Sequence, residues 1–183
     1  IIVSDPGVFV IARDIIEVHL STQASTLNSY SARFWHEMGY KRIVMAREAT
    51  LEDIRTIRKN CPEDMEIEAF VHGAMCIAFS GRCLMSSVLT GRSGNKGACA
   101  QPCRWRYTIH EAGYPDDYFP IEQDEKGTYI LNSRDLMMIE HIPELIEAGI
   151  DSFKIEGRMK SAYYVASVIS TYRKAIDAYY EQG

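Results

Sequence analysis

Short apolar runs alternate with amphipathic stretches through the first 70 residues, and this alternation restricts the fold more than any other feature of the chain. Ile1-Ile2-Val3 reads as a strand ending in the turn Ser4-Asp5-Pro6-Gly7, after which Val8 to Arg13 has helical character. Glu17-Val18-His19-Leu20 reads as a second strand. In the stretch Leu27 to Met38, Tyr30, Phe34 and Met38 recur at i, i+4 and i+8, which predicts the apolar face of a helix stopped by Gly39. Arg42-Ile43-Val44-Met45 is a third strand. Thr50 predicts an N-cap with Asp53 at the capping-box position, and Leu51, Ile54 and Ile57 supply the apolar face that follows. Glu66 to Val71 is a fourth strand. Strands and helices joined by short links imply βα units around a parallel sheet. The repetition predicts a (β/α)8-type barrel, with a doubly wound open sheet as the alternative.

The rhythm breaks at His72. Residues 72 to 134 carry Gly, Pro and polar clusters with short β-like runs at Trp105–His110 and Thr128–Leu131, as expected of a Cys-rich insertion with a small β-hairpin. Regular patterning then resumes. A helix is predicted from Asp135 to Ala148, a strand at Ser152–Glu156, and a long helix from Ala162 to Tyr180. The expected buried face of that last helix is Tyr163, Val165, Ala166, Ile169, Tyr172, Ile176 and Tyr179. Only five barrel-type strands are present, and a barrel cannot close on five. The expected fold is therefore α/β: one domain over residues 1–183, a partial TIM-like barrel whose first strands are missing, in a piece of a longer protein. Open strand edges drive association, so self-association is expected. No apolar run reaches the length of a membrane span, and the N-terminus lacks a signal peptide's basic region. A cytoplasmic location is expected.

Charge is distributed unevenly. The net charge is −5, yet from Ala69 to His110 there is no Asp or Glu, while Arg82, Arg92, Lys96, Arg104 and Arg106 all fall there. A cationic island on an acidic body suits an anionic ligand, a polyanionic substrate or a metal–thiolate cluster; a solvated basic loop is the plain alternative. Four of the five cysteines, Cys76, Cys83, Cys99 and Cys103, lie in the same island, with six, fifteen and three residues between them. Cys61 stands apart, beside Pro62, and reads as structural.

Four thiols in a basic loop fit a metal centre, because thiolates are soft ligands that cationic neighbours stabilise. Zinc would use the same sulfurs, although its usual C-x2-C knuckles are absent, and spacing alone does not separate zinc from iron–sulfur. Hydrolytic signatures are missing: there is no H-E-x-x-H and no G-x-S-x-G. A Cys–His pair of Cys76 or Cys83 with His72 is a conceivable nucleophile–base arrangement, which sequence spacing alone does not decide.

Strand ends at one mouth of a barrel carry its site. Here those ends hold Asp5, Ser21 to Gln23, Arg47, Glu48, His72 and Glu156 to Arg158. The candidate catalytic groups are His72, Glu48 and Glu156. The candidate substrate-binding groups are Gln23, Arg47, Arg82, Arg104, Arg158 and Lys160, and the candidate metal ligands are the four clustered cysteines. Trp105 and Tyr107, beside Arg104 and Arg106, suit either stacking on a base or packing a hairpin.

Three blocks carry a family resemblance. The first is Glu68-Ala69-Phe70-Val71-His72-Gly73-Ala74-Met75-Cys76, continuing through Ser80-Gly81-Arg82-Cys83-Leu84-Met85-Ser86. The second is Asn95-Lys96-Gly97-Ala98-Cys99-Ala100-Gln101-Pro102-Cys103-Arg104-Trp105. The third is Asp151-Ser152-Phe153-Lys154-Ile155-Glu156-Gly157-Arg158-Met159-Lys160-Ser161. In this order they resemble the signature of the peptidase U32 family over nearly the whole chain. The resemblance implies a TIM-like barrel and one of two activities. One is collagenase-like proteolysis, the family's older label. The other is oxygen-independent hydroxylation of a tRNA uridine, an rRNA cytidine or a ubiquinone precursor.

It further implies a 4Fe–4S cluster on cysteines of this segment and, in the RNA branch, oxygen drawn from a prephenate-like acid. One departure stands out. The family's Asp-Leu-Cys, whose Cys serves as a cluster ligand, is here Asp135-Leu136-Met137, and a thioether is a poor substitute for a thiolate on iron. Either Cys103 is then the fourth ligand, or the cluster is labile or absent. The leading expectation is an RNA hydroxylase acting on tRNA; the alternatives are a U32-type peptidase and a zinc-stabilised RNA-binding fragment.

Overall fold

The structure, a computed structural model, describes residues 1–76, 78, 83–105, 108, 109, 119, 120 and 135–182. Its centre is a parallel sheet built in chain order. β1 (Ile2–Val3), β2 (His19–Leu20), β3 (Arg42–Val44) and β4 (Glu66–Ala74) pair successively in parallel. The last parallel strand, Ser152–Glu156, pairs with β4. No strand order is reversed among these five. The helices that link the first strands are α1 (Pro6–Ala12), α2 (Ser29–Glu37) and α3 (Leu51–Asn60). Then come α4 (Met85–Thr90), an antiparallel pair of β5 (Thr108–Ile109) with β6 (Phe119–Pro120), β7 (Asp135–Met137), α5 (Ile142–Glu147), β8 (Ser152–Glu156) and α6 (Ala162–Gln182). The expected β-like run Thr128–Leu131 lies outside the described residues.

Local chemistry sets the helix starts. Thr50 accepts from the Asp53 N–H at 3.1 Å while the Asp53 carboxylate accepts from the Thr50 N–H at 2.8 Å, the reciprocal capping box that the sequence predicts. Asp5 and Asn28 cap α1 and α2 with a one-way bond, each accepting from a backbone N–H at 3.0 Å.

Period-two alternation divides the sheet into two faces. One face packs against the helices: Ile67, Ala69 and Val71 of β4 join Ile54 and Ile57 of α3, Ile142 and Leu145 of α5, and Tyr172 of α6 in the core, with Phe153 and Ile155 of β8 against them. The opposite face is polar. There the buried carboxylate of Glu68 accepts from Lys154 Nζ at 2.5 Å, Ser152 Oγ at 2.9 Å and Arg42 Nη1 at 3.2 Å. Burial pushes the Glu68 pKa up, and its bonds to Lys154, Ser152 and Arg42 outweigh that and hold it below the ordinary carboxylate value.

Three expectations need correction. Tyr30, Phe34 and Met38 are 83%, 53% and 42% exposed; the core side of α2 is Ala32, with Trp35 packed against the cluster. Periodicity marked a coherent face, but the sheet covers the other one. Asp135–Met137 is a strand, antiparallel to His72–Ala74, because the end of β4 offers ladder partners there; helix begins only at the 3-10 turn Ile139–His141 and α5. In α6 the buried stripe turns away from Tyr163, Ala166 and Ile169, which are exposed, to Tyr172, Val168, Ala175, Ile176 and Tyr179.

Candidate functional site

A cavity of about 570 Å³ lies at the carboxyl ends of the parallel strands. Its wall takes Ser4 after β1, Thr22 and Gln23 after β2, Arg47 after β3, Met75 and Cys76 after β4, and Glu156 and Arg158 at the end of β8. Phe70 of β4 and Lys154 of β8 add to the wall, and so does the segment around α4, with Cys83, Lys96, Cys99, Cys103 and Arg104. All four clustered cysteines therefore line one cavity. All four are half-buried. Backbone N–H groups already point at two of the sulfurs: Met85 N–H donates to Cys83 Sγ at 3.3 Å and Gln101 N–H to Cys99 Sγ at 3.2 Å. Such donors stabilise a thiolate.

Among the described residues, no three His, Cys, Asp or Glu side chains converge on one point as a single metal ion requires. A zinc ion needs four ligands within about 2.3 Å of one centre. An iron–sulfur cluster binds each thiolate through a different iron, so its ligands stand farther apart. The donor set of four thiols among cations and N–H donors fits such a cluster.

The cations differ in their company. Arg104 pairs with Asp135 at 2.5 Å, and Lys154 is tied to Glu68. Arg47 lies with its guanidinium carbon 4.1 Å from the centre of the Phe70 ring, and its Nε is buried without a hydrogen-bond partner. Arg158 folds against Gly97, whose φ of +69° and missing side chain leave room for the guanidinium; a Cβ there would sit 3.2 Å from both terminal nitrogens. The Glu156 carboxylate accepts from the Arg158 backbone N–H at 3.0 Å. Lys96 and Arg158 are both exposed at the rim.

Of the residues singled out by sequence, Gln23, Arg47, Cys76, Cys83, Cys99, Cys103, Arg104, Glu156 and Arg158 line the cavity. Arg82 lies outside the described residues, as do Arg106 and Tyr107. Glu48 is exposed and is not part of the wall. Lys160 is exposed as well, bonded to Asp135 at 3.2 Å beside the Tyr164 ring. His72 is not brought to the cavity. The register of β4 against β8 slips between Phe70 and His72, so Val71 is an extra residue and His72 stands opposite Ile155 rather than on the Lys154 face. A one-residue bulge turns a side chain to the other face. The imidazole meets Tyr164 Oη at 3.0 Å and Tyr172 Oη at 3.4 Å instead. Met137 is 59% exposed and outside the wall.

Sequence reasoning missed Phe70, Lys154 and Ser4. The signal for Lys154 was legible: Ser152, Lys154 and Glu156 are the polar alternates of an otherwise apolar strand.

The family model for peptidase family U32 matches residues 1–183. The chain is 47% identical over 182 residues to tRNA hydroxylation protein P1 of Bacillus subtilis (strain 168), covering 98% of this chain and 42% of that protein. It is 40% identical to the 23S rRNA 5-hydroxycytidine C2501 synthase of Escherichia coli (strain K12), covering 100% of this chain and 26% of that protein. It is 38% identical to a collagenase of Porphyromonas gingivalis (strain ATCC BAA-308 / W83), covering 98% and 44%. The chain thus spans less than half the length of these relatives. No solved structure matches.

Proposed function

The chain belongs to peptidase family U32, and from that premise we propose that it forms the thiol-lined core of an RNA hydroxylase acting on tRNA. The observation that carries this reading is the meeting of four cysteines with Arg47, Lys96 and Arg158 in one cavity at the strand ends. Cys76, Cys83, Cys99 and Cys103 would hold a 4Fe–4S cluster, which supplies electron transfer when bound. The protein's own part is to keep the thiolates solvated by N–H donors, to hold a polyanion at the rim and to orient a small prephenate-like acid as oxygen source. Relatives named for tRNA and rRNA hydroxylation support RNA as the substrate.

Several finer features belong to the same reading. Five parallel strands in unreversed chain order suit a partial barrel better than a doubly wound sheet, whose order reverses at a switch point. No helix among the described residues is long and apolar enough to cross a membrane, and a tRNA enzyme works in the cytoplasm. Ile11 and Ile15, more than 70% exposed, give the chain an apolar surface for self-association. A stable monomer in sedimentation would reject that last point.

The collagenase relative keeps a peptidase as the second reading. Among the described residues no histidine lines the cavity, so no thiol there has an imidazole base beside it. A zinc-stabilised RNA-binding fragment would yield zinc without iron or sulfide after anaerobic purification. Mass spectrometry of tRNA nucleosides from cells with and without the gene tests the main reading: hydroxylated uridine should disappear with the gene. Its persistence in a strain lacking paralogues rejects the assignment.

A further inference from the structure

Two cysteines of the cavity sit in turns of the same form. Cys83 Sγ accepts from Met85 N–H at 3.3 Å and Cys99 Sγ from Gln101 N–H at 3.2 Å, each donor lying two residues along the chain. Ser86 directly follows the first turn and Ala100 lies inside the second. Both are buried, Ser86 with only 2% of its surface exposed. The Ser86 hydroxyl donates to the Arg92 carbonyl at 2.6 Å and accepts the Ala100 N–H at 2.9 Å, across fourteen positions of chain. Its proton is committed to Arg92, so a lone pair faces Ala100. Gly94 lies between the turns: a Cβ there would stand 3.5 Å from Cys99 Cβ and 3.9 Å from both Cys99 Sγ and the Cys83 carbonyl oxygen.

We propose that Ser86 is a positioning residue: its hydroxyl clasps the two N–H···S turns together and so fixes the spacing of the Cys83 and Cys99 sulfurs. The chain between Ser86 and Ala100 runs out through the rest of α4 and a 3-10 turn at Gly94–Lys96. A buried hydrogen bond at the base of such a loop limits the conformations open to its ends. A buried backbone N–H needs a partner, and the hydroxyl supplies one to Ala100. Removing the hydroxyl leaves an unpaired donor beside Cys99 and loosens the turn that aims Gln101 N–H at sulfur. Groups around a metal centre hold its ligands in their productive positions in this way. That the spacing serves a 4Fe–4S cluster rests on the reading above; the clasp itself does not.

The test uses the full-length protein, metal-free and after anaerobic reconstitution with ferrous iron and sulfide. Hydrogen exchange is read residue by residue by mass spectrometry, and cluster loss by the decay of visible absorbance in the presence of an iron chelator. In metal-free protein, Ser86→Ala should speed exchange of the Ala100 and Gln101 amides at least about tenfold. In reconstituted protein it should speed cluster loss by a similar factor. Ser86→Thr keeps the hydroxyl and should bring both rates back toward wild type. Tyr172→Phe removes a buried hydroxyl away from the cavity and should change neither. Should Ser86→Ala not fold, exchange in the wild-type protein decides, and Ala100 must then be among its protected amides.

The proposal is overturned if Ala100 is unprotected in wild-type protein, or if Ser86→Ala exchanges it at the wild-type rate. Cluster loss from Ser86→Ala at the wild-type rate would also overturn it, since the hydroxyl would then hold the loop without placing the sulfurs. So would equal acceleration by Tyr172→Phe, which describes a loss of overall stability. Ser86→Thr matching Ser86→Ala in both readouts would place the effect in packing and overturn the role of the hydroxyl. Failure of wild-type protein to take up iron and sulfide would count against the cluster reading and leave the exchange arm to decide the clasp.

Discussion

The hydroxyl of Tyr172 donates to the carbonyl of Val71 across 2.8 Å and accepts the N–H of Met138 across 3.0 Å. One side chain of α6 thereby braces the extra residue of the β4 bulge and the exit of β7. Those polar groups are buried, and buried backbone groups need partners. The Met138 N–H also reaches the Val71 carbonyl at 3.0 Å, so Tyr172→Phe removes part of the bonding rather than all of it. The expected loss is about 1.5 kcal/mol of unfolding free energy, measured by urea denaturation. An unchanged midpoint would show that the brace carries no stability.

His72 stands on the same side of the bulge, half-buried, and its chemistry is that of a structural group. Burial pushes its pKa below the ordinary value, against the pull of Asp135 and with the help of Lys160. In the unfolded chain the imidazole takes up a proton near pH 6.5, while in the folded chain it does so only at lower pH. Stability is therefore lost as pH falls from about 6.5 through the folded pKa. His72→Gln should flatten the fall in melting temperature between about pH 7 and pH 5. A slope identical to wild type would contradict the placement of His72 between the two tyrosines.

Glu68 titrates in a lower range. Its folded pKa is depressed below the ordinary carboxylate value. The stability it contributes is present above the unfolded pKa and is lost as pH falls through the folded one. Glu68→Gln leaves Arg42 and Lys154 facing an uncharged amide. Both cations reach solvent, which reduces the penalty to about 2 kcal/mol near neutral pH. The variant should also lose part of the acid limb of the stability profile. A full acid limb would place the titration elsewhere.

Arg158→Lys keeps the charge at the rim and removes the planar fork. Among the described residues the guanidinium has no carboxylate partner, so the change breaks no internal ion pair there. Activity of the full-length protein should fall at least about tenfold, or about 1.4 kcal/mol, with melting temperature and iron content unchanged. Full activity would remove Arg158 from substrate binding.

Features set by near neighbours were legible in the chain. The Thr50–Asp53 capping box and the alternation of strands with helices need only residues a few positions apart. Both appear as read. The strand-end residues Gln23, Arg47, Cys76, Glu156 and Arg158 meet because parallel strands deliver their ends to one mouth, and the segment around α4 brings Cys83, Cys99 and Cys103 to it. What failed depended on distant partners. Whether Asp135–Met137 is helix or strand is decided by the free end of β4, more than 60 positions earlier in the chain. Whether His72 faces the cavity is decided by the register of β4 on β8. At Gly73, φ is +101° and a Cβ would fall 2.1 Å from the Glu156 carbonyl oxygen. The two strands meet at that point only because the residue has no side chain. Nothing local to His72 announces that contact.

The central claim, that the cysteine-lined cavity hydroxylates tRNA, is tested most directly by complementation. A strain lacking the gene and its paralogues receives the full-length gene as wild type or as Cys83→Ser, each checked for equal protein level. Hydroxylated uridine in its tRNA is then quantified by mass spectrometry. The account predicts that wild type restores the modified nucleoside and that Cys83→Ser leaves it at the level of the deletion. Restoration by Cys83→Ser equal to wild type, or no loss in the deletion strain at all, would contradict it.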